Sequence, residues 1–369
     1  MIAQHLPGLL LGALSLVAVG CRGASPDGGA SPAGSGSAAP AGASADAKVA
    51  LNGAGATFPF PLYSKWMSRY NELHPSILIN YQSIGSGGGI RQIAARTVDF
   101  GASDAPMTPD EEAKAPAKLV HLPMTLGAVA VAVNVPGVTS LRLGPAELAG
   151  MYLGTITRWN DPKLAAINPG TTLPDQPVVV AYRSDGSGTT AVFTEYLGKI
   201  SPEWKEKGGV GKSVKFPVGL GAKGNEGVTG QVKTSAGSIG YVELAYALQN
   251  GLTMASLRNS AGNFVAPSVE SVSVAAASVT LPDSLTVSLT DPPGPAAYPI
   301  ASYSYVLVYE DSVDAAKGKV LAEFFRWALH EGQGLAGALH YAPLPESVVK
   351  QTEARLLTLK GAGQPLLGG

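Results

Sequence analysis

Residues 183–190 read Arg-Ser-Asp-Gly-Ser-Gly-Thr-Thr, directly after the apolar run Val178, Val179, Val180, and lead into a segment with Val192, Phe193, Tyr196, Leu197 and Ile200 at helical spacing. A strand therefore ends where a helix begins, with two glycines and four hydroxyls in the stretch 183–190. The first turn of a helix carries N–H groups without intrahelical partners and the positive end of the helix dipole, so this joint can cradle an anion. Arg183 adds a planar fork of donors suited to phosphate-like oxygens. Gly and Ser are also ordinary residues of a bland strand-to-helix turn, so one such joint is a weak signal. Two further joints strengthen it, residues 53–58 with Thr57 and residues 85–89 with Ser86. Converging across a cleft, the three would surround one tetrahedral anion with backbone N–H groups, the hydroxyls of Thr57, Ser86, Ser187 and Thr189, and the Arg183 guanidinium.

Two carboxylates accompany these donors. Asp185, two residues from Arg183, can hold the guanidinium in place and offset its charge; an N-cap or Asx-turn role fits the spacing equally well. Asp104 ends the segment Val98–Ser103, just before Ala105-Pro106. An ionised carboxylate has acceptors only, so it repels an anion unless that anion brings a proton. Phosphate near neutral pH carries one and sulfate does not. An Asp in the site would therefore select phosphate over sulfate by penalising the unprotonated ligand.

The elements that must position these residues follow from periodicity. Short β-branched runs alternate with helical stripes, which predicts βα units and a largely parallel sheet. A helix is expected after Pro59, with Phe60, Tyr63, Trp66, Met67, Tyr70 and Leu73 on one stripe. Strands are expected near 76–84, 98–102, 126–135, 177–182, 238–243 and 302–309, with helices at 315–330 and 345–359. The Ala/Ser/Val-rich stretch 268–290 has no clear period. The apolar run 126–135, closed by Pro136-Gly137, reads as a buried strand at a crossing between two lobes, too short to span a membrane.

The chain has 369 residues, longer than one core usually supports, with 26 basic and 27 acidic residues and no block of like charge. That balance argues against nucleic acid or an anionic membrane surface as partner. An apolar run at 6–20 reads as an export signal and ends in Ala18-Val19-Gly20 before Cys21, the only cysteine. The junction resembles a bacterial lipobox, in which the cysteine is acylated, for example with palmitate; an ordinary cleaved signal with an incidental cysteine is the alternative. Residues 22–48 are nearly all Gly, Ala, Ser and Pro, too poor in apolar surface to order themselves, and read as a tether.

Five stretches carry a family resemblance: GAGATFPFPLYSKW at 53–66, IGSGGGIRQI from Ile84, TVDFGASDAPMT at 97–108, RSDGSGTTAVFTEYL at 183–197 and GSIGYVELAYA at 237–247. Together they resemble the periplasmic phosphate-binding proteins of phosphate-specific ABC transporters, the PstS family. YPIASYSYVLV at 298–308 and YAPLPESVVKQ at 341–351 extend the likeness, which is weak over 255–297. The resemblance implies an α/β fold of the type II periplasmic binding-protein class, two lobes with a hinge and a ligand cleft between them. Lobe I would comprise 49–125 plus 298–369, and lobe II 126–297. It further implies a phosphate site of Thr57, Phe58 (through its N–H), Ser86, Asp104, Arg183, Ser187, Gly188 and Thr189, with Asp185 paired to the arginine. The partners implied are inorganic phosphate and an ABC permease, for an exported, lipid-anchored monomer without a cofactor.

Rival readings are weaker. His74, His121, His330 and His340 are dispersed and lie beside none of the three joints, so neither a metal site nor a base for catalysis is expected. Neither Ser86 nor Ser187 fits GxSxG, because Ile84 and Asp185 occupy the first glycine position. The run Gly209-Val210-Gly211-Lys212-Ser213 lacks the leading glycine of a Walker loop, and Gly219-Leu220-Gly221-Ala222-Lys223-Gly224 matches GxGxxG only as a Gly-rich chain does by chance. Both are expected to be loops. A phosphate-binding surface or sensing protein not coupled to transport would share the same cleft.

Overall fold

In the computed structural model the described residues are 48–368. They fall within one compact unit, Asp46–Gly369. Cys21, the export signal and most of the tether lie outside the described residues. No helix among the described residues is long and apolar enough to cross a membrane.

The fold is mixed α/β with two lobes, built around one curled sheet. Its strand order is Ile77–Ser83, Val49–Gly55, Phe100–Ser103, Ile300–Tyr309, Leu119–Asn134, Ser238–Glu243, Val179–Arg183, Leu220–Ala222. The first three pair in parallel, as do the last three. The two long strands between them run antiparallel to their neighbours. Strand Leu119–Asn134 is shared: its residues 119–128 pair with Ile300–Tyr309 and its residues 129–134 with Ser238–Glu243.

That strand starts well before the apolar run 126–135. The earlier part holds His121, Pro123 and Thr125, which mask the β pattern, and Pro123 can donate nothing to a ladder. It sits where the register shifts at Ser304/Tyr305, a place at which a missing N–H is tolerated. The unreadable stretch 268–290 contains a helix, Val269–Ala277, opened by a Ser268/Ser271 capping box, and a short edge strand, Leu289–Thr290. Leu73 is 46% exposed, so the buried stripe of helix Phe60–Leu73 ends at Tyr70. Nor is Gly219–Gly224 a loop: Leu220–Ala222 is an edge strand and Gly224 begins the helix Gly224–Thr234.

The core reaches the site through aromatic side chains. Phe193, on the helix Gly188–Ile200, stacks on Tyr241 with ring centroids 4.2 Å apart. The Tyr241 hydroxyl then accepts the Arg183 N–H at 3.1 Å and lies 2.7 Å from Thr190 Oγ1. Burying each such ring contributes on the order of 2–3 kcal/mol, and the packing also fixes where Arg183 leaves its strand.

Candidate functional site

The helices Ser86–Ala94 and Gly188–Ile200 meet first turn to first turn. The Gly87 N–H donates to the Gly186 carbonyl at 2.8 Å, a backbone bond between the two joints. Gly85 adopts φ +86°, and an added side chain there would run into Asp185 and Gly186. Gly188 is tightly enclosed as well: a methyl group on it would press on Ser86 Oγ and stand 2.7 Å from the Asp104 nitrogen. Gly188→Ala is therefore expected to hold the two joints apart and weaken anion binding by roughly 100-fold, the scale of a 1–3 kcal/mol overpacking cost. Titration calorimetry checks this, and affinity unchanged within threefold would contradict it.

The structure brings Thr57, Phe58, Ser86, Asp104, Arg183, Asp185, Ser187, Gly188 and Thr189 into one cluster, with only Asp185 partly exposed. Arg183 lies 5% exposed and grips Asp185 with two bonds, Nε to Oδ1 at 2.8 Å and Nη2 to Oδ2 at 2.5 Å. Asp185 also accepts the Gly224 N–H at 2.9 Å. Burial alone would raise its pKa; the Arg183 hydrogen bonds and charge, with the Gly224 N–H, outweigh that and hold it below the usual carboxylate value. The pair is thus internally neutral, and the N–H groups of two helix ends supply the anion-attracting field.

Asp104 differs. Burial pushes its pKa up to about 7, against the opposing pull of the Ser304 hydroxyl, the Arg183 charge and Thr189. Ser304 donates to Oδ1 at 2.8 Å and Thr189 to Oδ2 at 3.4 Å. Its backbone is fixed as well: its N–H donates to Ser86 Oγ at 3.2 Å and its carbonyl accepts from Ser302 at 2.9 Å. The site therefore combines many donors with one carboxyl poised to take or give a proton near neutrality.

Several residues at the cluster escaped the sequence reading. Asn225, fully buried, donates to Thr57 Oγ1 and to Thr189 Oγ1. The Tyr246 hydroxyl donates to the Thr57 carbonyl at 2.7 Å, on the peptide whose N–H belongs to Phe58, and Tyr341 donates to the Phe58 carbonyl at 2.7 Å. Ser304 supports Asp104 from the strand expected at 302–309, where the sequence singles out no site residue. The signal for Asn225 lay in Gly219–Gly224, whose glycines place a helix start at the cluster. Lys212, from the Walker-like run, sits in a loop; its Nζ lies 2.7 Å from Glu111 Oε2 and 2.8 Å from the Pro106 carbonyl, while its own carbonyl accepts the Ser187 N–H at 2.8 Å. It spans from the Arg183 joint to the Asp104 joint. Of the four histidines named above, His121 is turned inward: Nε2 accepts the Met107 N–H at 3.0 Å, and burial pushes its pKa down to about 4.

Residues 38–331 match the PBP superfamily domain. The chain is 46% identical to the phosphate-binding protein PstS of Pasteurella multocida, with 84% of this chain and 90% of that protein covered. It is 47% identical to that of Haemophilus influenzae, over 84% of this chain and 93% of the relative. The chain belongs to the PstS family. A phosphate-bound structure of the periplasmic phosphate-binding protein PfluDING superposes with a TM-score of 0.69 at 22% identity, covering 86% of this chain and all of that one. At that identity the likeness speaks for the fold, the two-lobed type II binding-protein architecture. The cluster lies where the first turns of the helices Ser86–Ala94 and Gly188–Ile200 meet.

Proposed function

We propose that this PstS family member binds inorganic phosphate outside the cytoplasmic membrane and delivers it to an ABC permease. The observation that carries this reading is the buried cluster itself: two facing helix N-termini, a neutralised arginine fork and one carboxyl poised near pH 7. Thr57, Phe58, Ser86 and Asp104 act as the first jaw, from lobe I (49–125 plus 298–369). Arg183, Ser187, Gly188 and Thr189 form the second, from lobe II (126–297), with Asp185 holding the arginine. The jaws touch through Gly87–Gly186, Asn225–Thr57 and Lys212–Glu111, so closure and ligand capture are one event, and a bound anion replaces repulsion between facing dipoles with shared hydrogen bonds. The ligand is released unchanged, and the PstS relatives are named as binding proteins, not enzymes. Acylation at Cys21 would tether the monomer to the membrane carrying the permease.

Calorimetry of the purified protein with phosphate, arsenate and sulfate tests the reading. Phosphate and arsenate, which carry a proton near neutral pH, are expected to bind, with sulfate at least 100-fold weaker at pH 8, the scale of one buried unsatisfied contact. Silence toward phosphate would refute the function, and sulfate binding equal to phosphate would refute the role of Asp104.

A further inference from the structure

We propose that Asn225 is a positioning residue that fixes the hydroxyl of Thr57 as a proton donor to the bound oxyanion and turns that of Thr189 toward Asp104, an inference that rests on the phosphate reading above. The orientation of its amide is set by the main chain. The Glu243 N–H, which can only donate, reaches Asn225 Oδ1 at 2.9 Å, so Nδ2 must face the threonines. Nδ2 lies 2.7 Å from Thr57 Oγ1, and the Asn225 backbone N–H lies 3.1 Å from the same oxygen. Thr57 Oγ1 thereby accepts two N–H bonds, which occupies both lone pairs and leaves its proton to be given away. The same side chain reaches Thr189 Oγ1 at 3.3 Å, where Arg183 Nη1 also donates at 3.3 Å. Neither an amide NH2 nor a guanidinium can accept, so Thr189 too is left a donor, and its proton goes to Asp104 Oδ2 at 3.4 Å.

A hydroxyl is ordinarily ambivalent and can turn to accept a ligand proton. Here one buried side chain removes that freedom at both jaws at once. The consequence is that Thr57 demands an acceptor oxygen of the ligand, while Asp104, held by Thr189 and Ser304, is left to receive the ligand proton. Because Asn225 heads the helix Gly224–Thr234 on one side of the cleft and Thr57 lies on the other, it also couples the donor polarity of Thr57 to closure.

The test is a double-mutant cycle on phosphate affinity with wild type, Asn225→Ala, Thr57→Val and the double variant, together with Asn225→Asp. Asn225→Asp keeps an acceptor for the Glu243 N–H but exchanges the donor for an acceptor, so Thr57 would give its proton to the new carboxylate instead of the ligand. Each single substitution is expected to weaken phosphate binding by about 10-fold, one net hydrogen bond. The double variant is expected to be little worse than Thr57→Val alone, because the two residues act through one proton. Asn225→Asp should lose more than Asn225→Ala at pH 8 and recover relative to wild type at pH 5.5, where a protonated carboxyl can donate again. The groups that face this position, Asp104, Glu243, Glu226, Arg183 and Tyr246, are common to both proteins, so the ratio to wild type isolates the introduced group. Additive losses with a ratio flat in pH would overturn the positioning role while leaving phosphate binding intact. A wild type that does not bind phosphate would overturn both.

Discussion

Asp104→Asn is expected to gain sulfate affinity by roughly 10- to 100-fold at pH 8 while losing phosphate affinity, so that the two ligands approach parity. The magnitude is that of one buried contact changed from repulsive to hydrogen-bonded, about 1–3 kcal/mol. In the wild type, Asp104 is 2% exposed and already accepts from Ser304 and Thr189. Ionised, its oxygens have nothing to donate unless a ligand or the solvent supplies a proton. An amide offers a donor at any pH. Because the Asp104 pKa is pushed up to about 7, wild-type sulfate affinity should rise as pH falls from 8.5 to 5.5, whereas the variant should be flat over that range. Competition titrations at three pH values decide the matter. Sulfate affinity that ignores both the substitution and pH would remove Asp104 from ligand selection.

The same carboxyl has a stability signature. Its folded-state pKa of about 7 exceeds the model-peptide 3.8, so the folded state holds the proton more tightly than the unfolded chain. The contribution of the protonated carboxyl is fully present below about pH 4 and is lost as pH rises through about 7, a difference on the order of 4 kcal/mol. In the absence of ligand, the Asn variant should therefore outlast wild type increasingly between pH 5 and 8. Thermal unfolding measures the gap, and a gap constant with pH would mean that Asp104 is not the group responsible.

Much of this site could be read from local sequence because its anion-facing parts are local devices. A strand followed by Gly, Ser and a helix is recognisable wherever it occurs, and Arg183 and Asp185 sit within one such joint. The supporting residues are not local. Ser304 reaches Asp104 across 200 residues of chain, Tyr341 reaches the Phe58 carbonyl across 283, and Asn225 reaches Thr57 across 168. Nothing in the spacing around Ser304 or Tyr341 marks them, and Asn225 is signalled only by the glycines of 219–224. The fold shows the same division. The parallel βα units followed from periodicity, but the start of strand Leu119–Asn134 did not, because Pro123 breaks the local pattern and only pairing with Ile300–Tyr309 restores it. Glu243 is a further case. Fully buried, with burial pushing its pKa well above the usual carboxylate value, it leaves Oε1 without a hydrogen-bond partner among the described residues while its N–H orients Asn225. A sequence shows such a residue only as an acid among apolar neighbours, which more often signals a strand end.

Arg183→Ala is expected to be the most damaging single change to binding, weakening phosphate affinity by roughly 100- to 1,000-fold. Charge-assisted hydrogen bonds contribute about 1.5–3 kcal/mol each, and the substitution removes the one guanidinium of the proposed site. A second effect follows from burial. The guanidinium is 1% exposed and the Asp185 carboxylate 11%, so removing the arginine leaves Asp185 with the Gly224 N–H and no charge partner. Orphaning a buried charge costs about 3–5 kcal/mol, whereas removing both members costs much less. Arg183→Ala should accordingly lower the melting temperature more than the Arg183→Ala/Asp185→Ala double variant does, although both bind phosphate weakly. Arg183→Lys should restore the charge without the fork and recover only part of the affinity, because an ammonium cannot hold Asp185 through two parallel bonds while reaching Thr189. Calorimetry and thermal unfolding on the three variants separate the two effects. If the double variant were the less stable of the two, the pair would be a net structural support, and its role would no longer be to carry a neutralised fork to the anion.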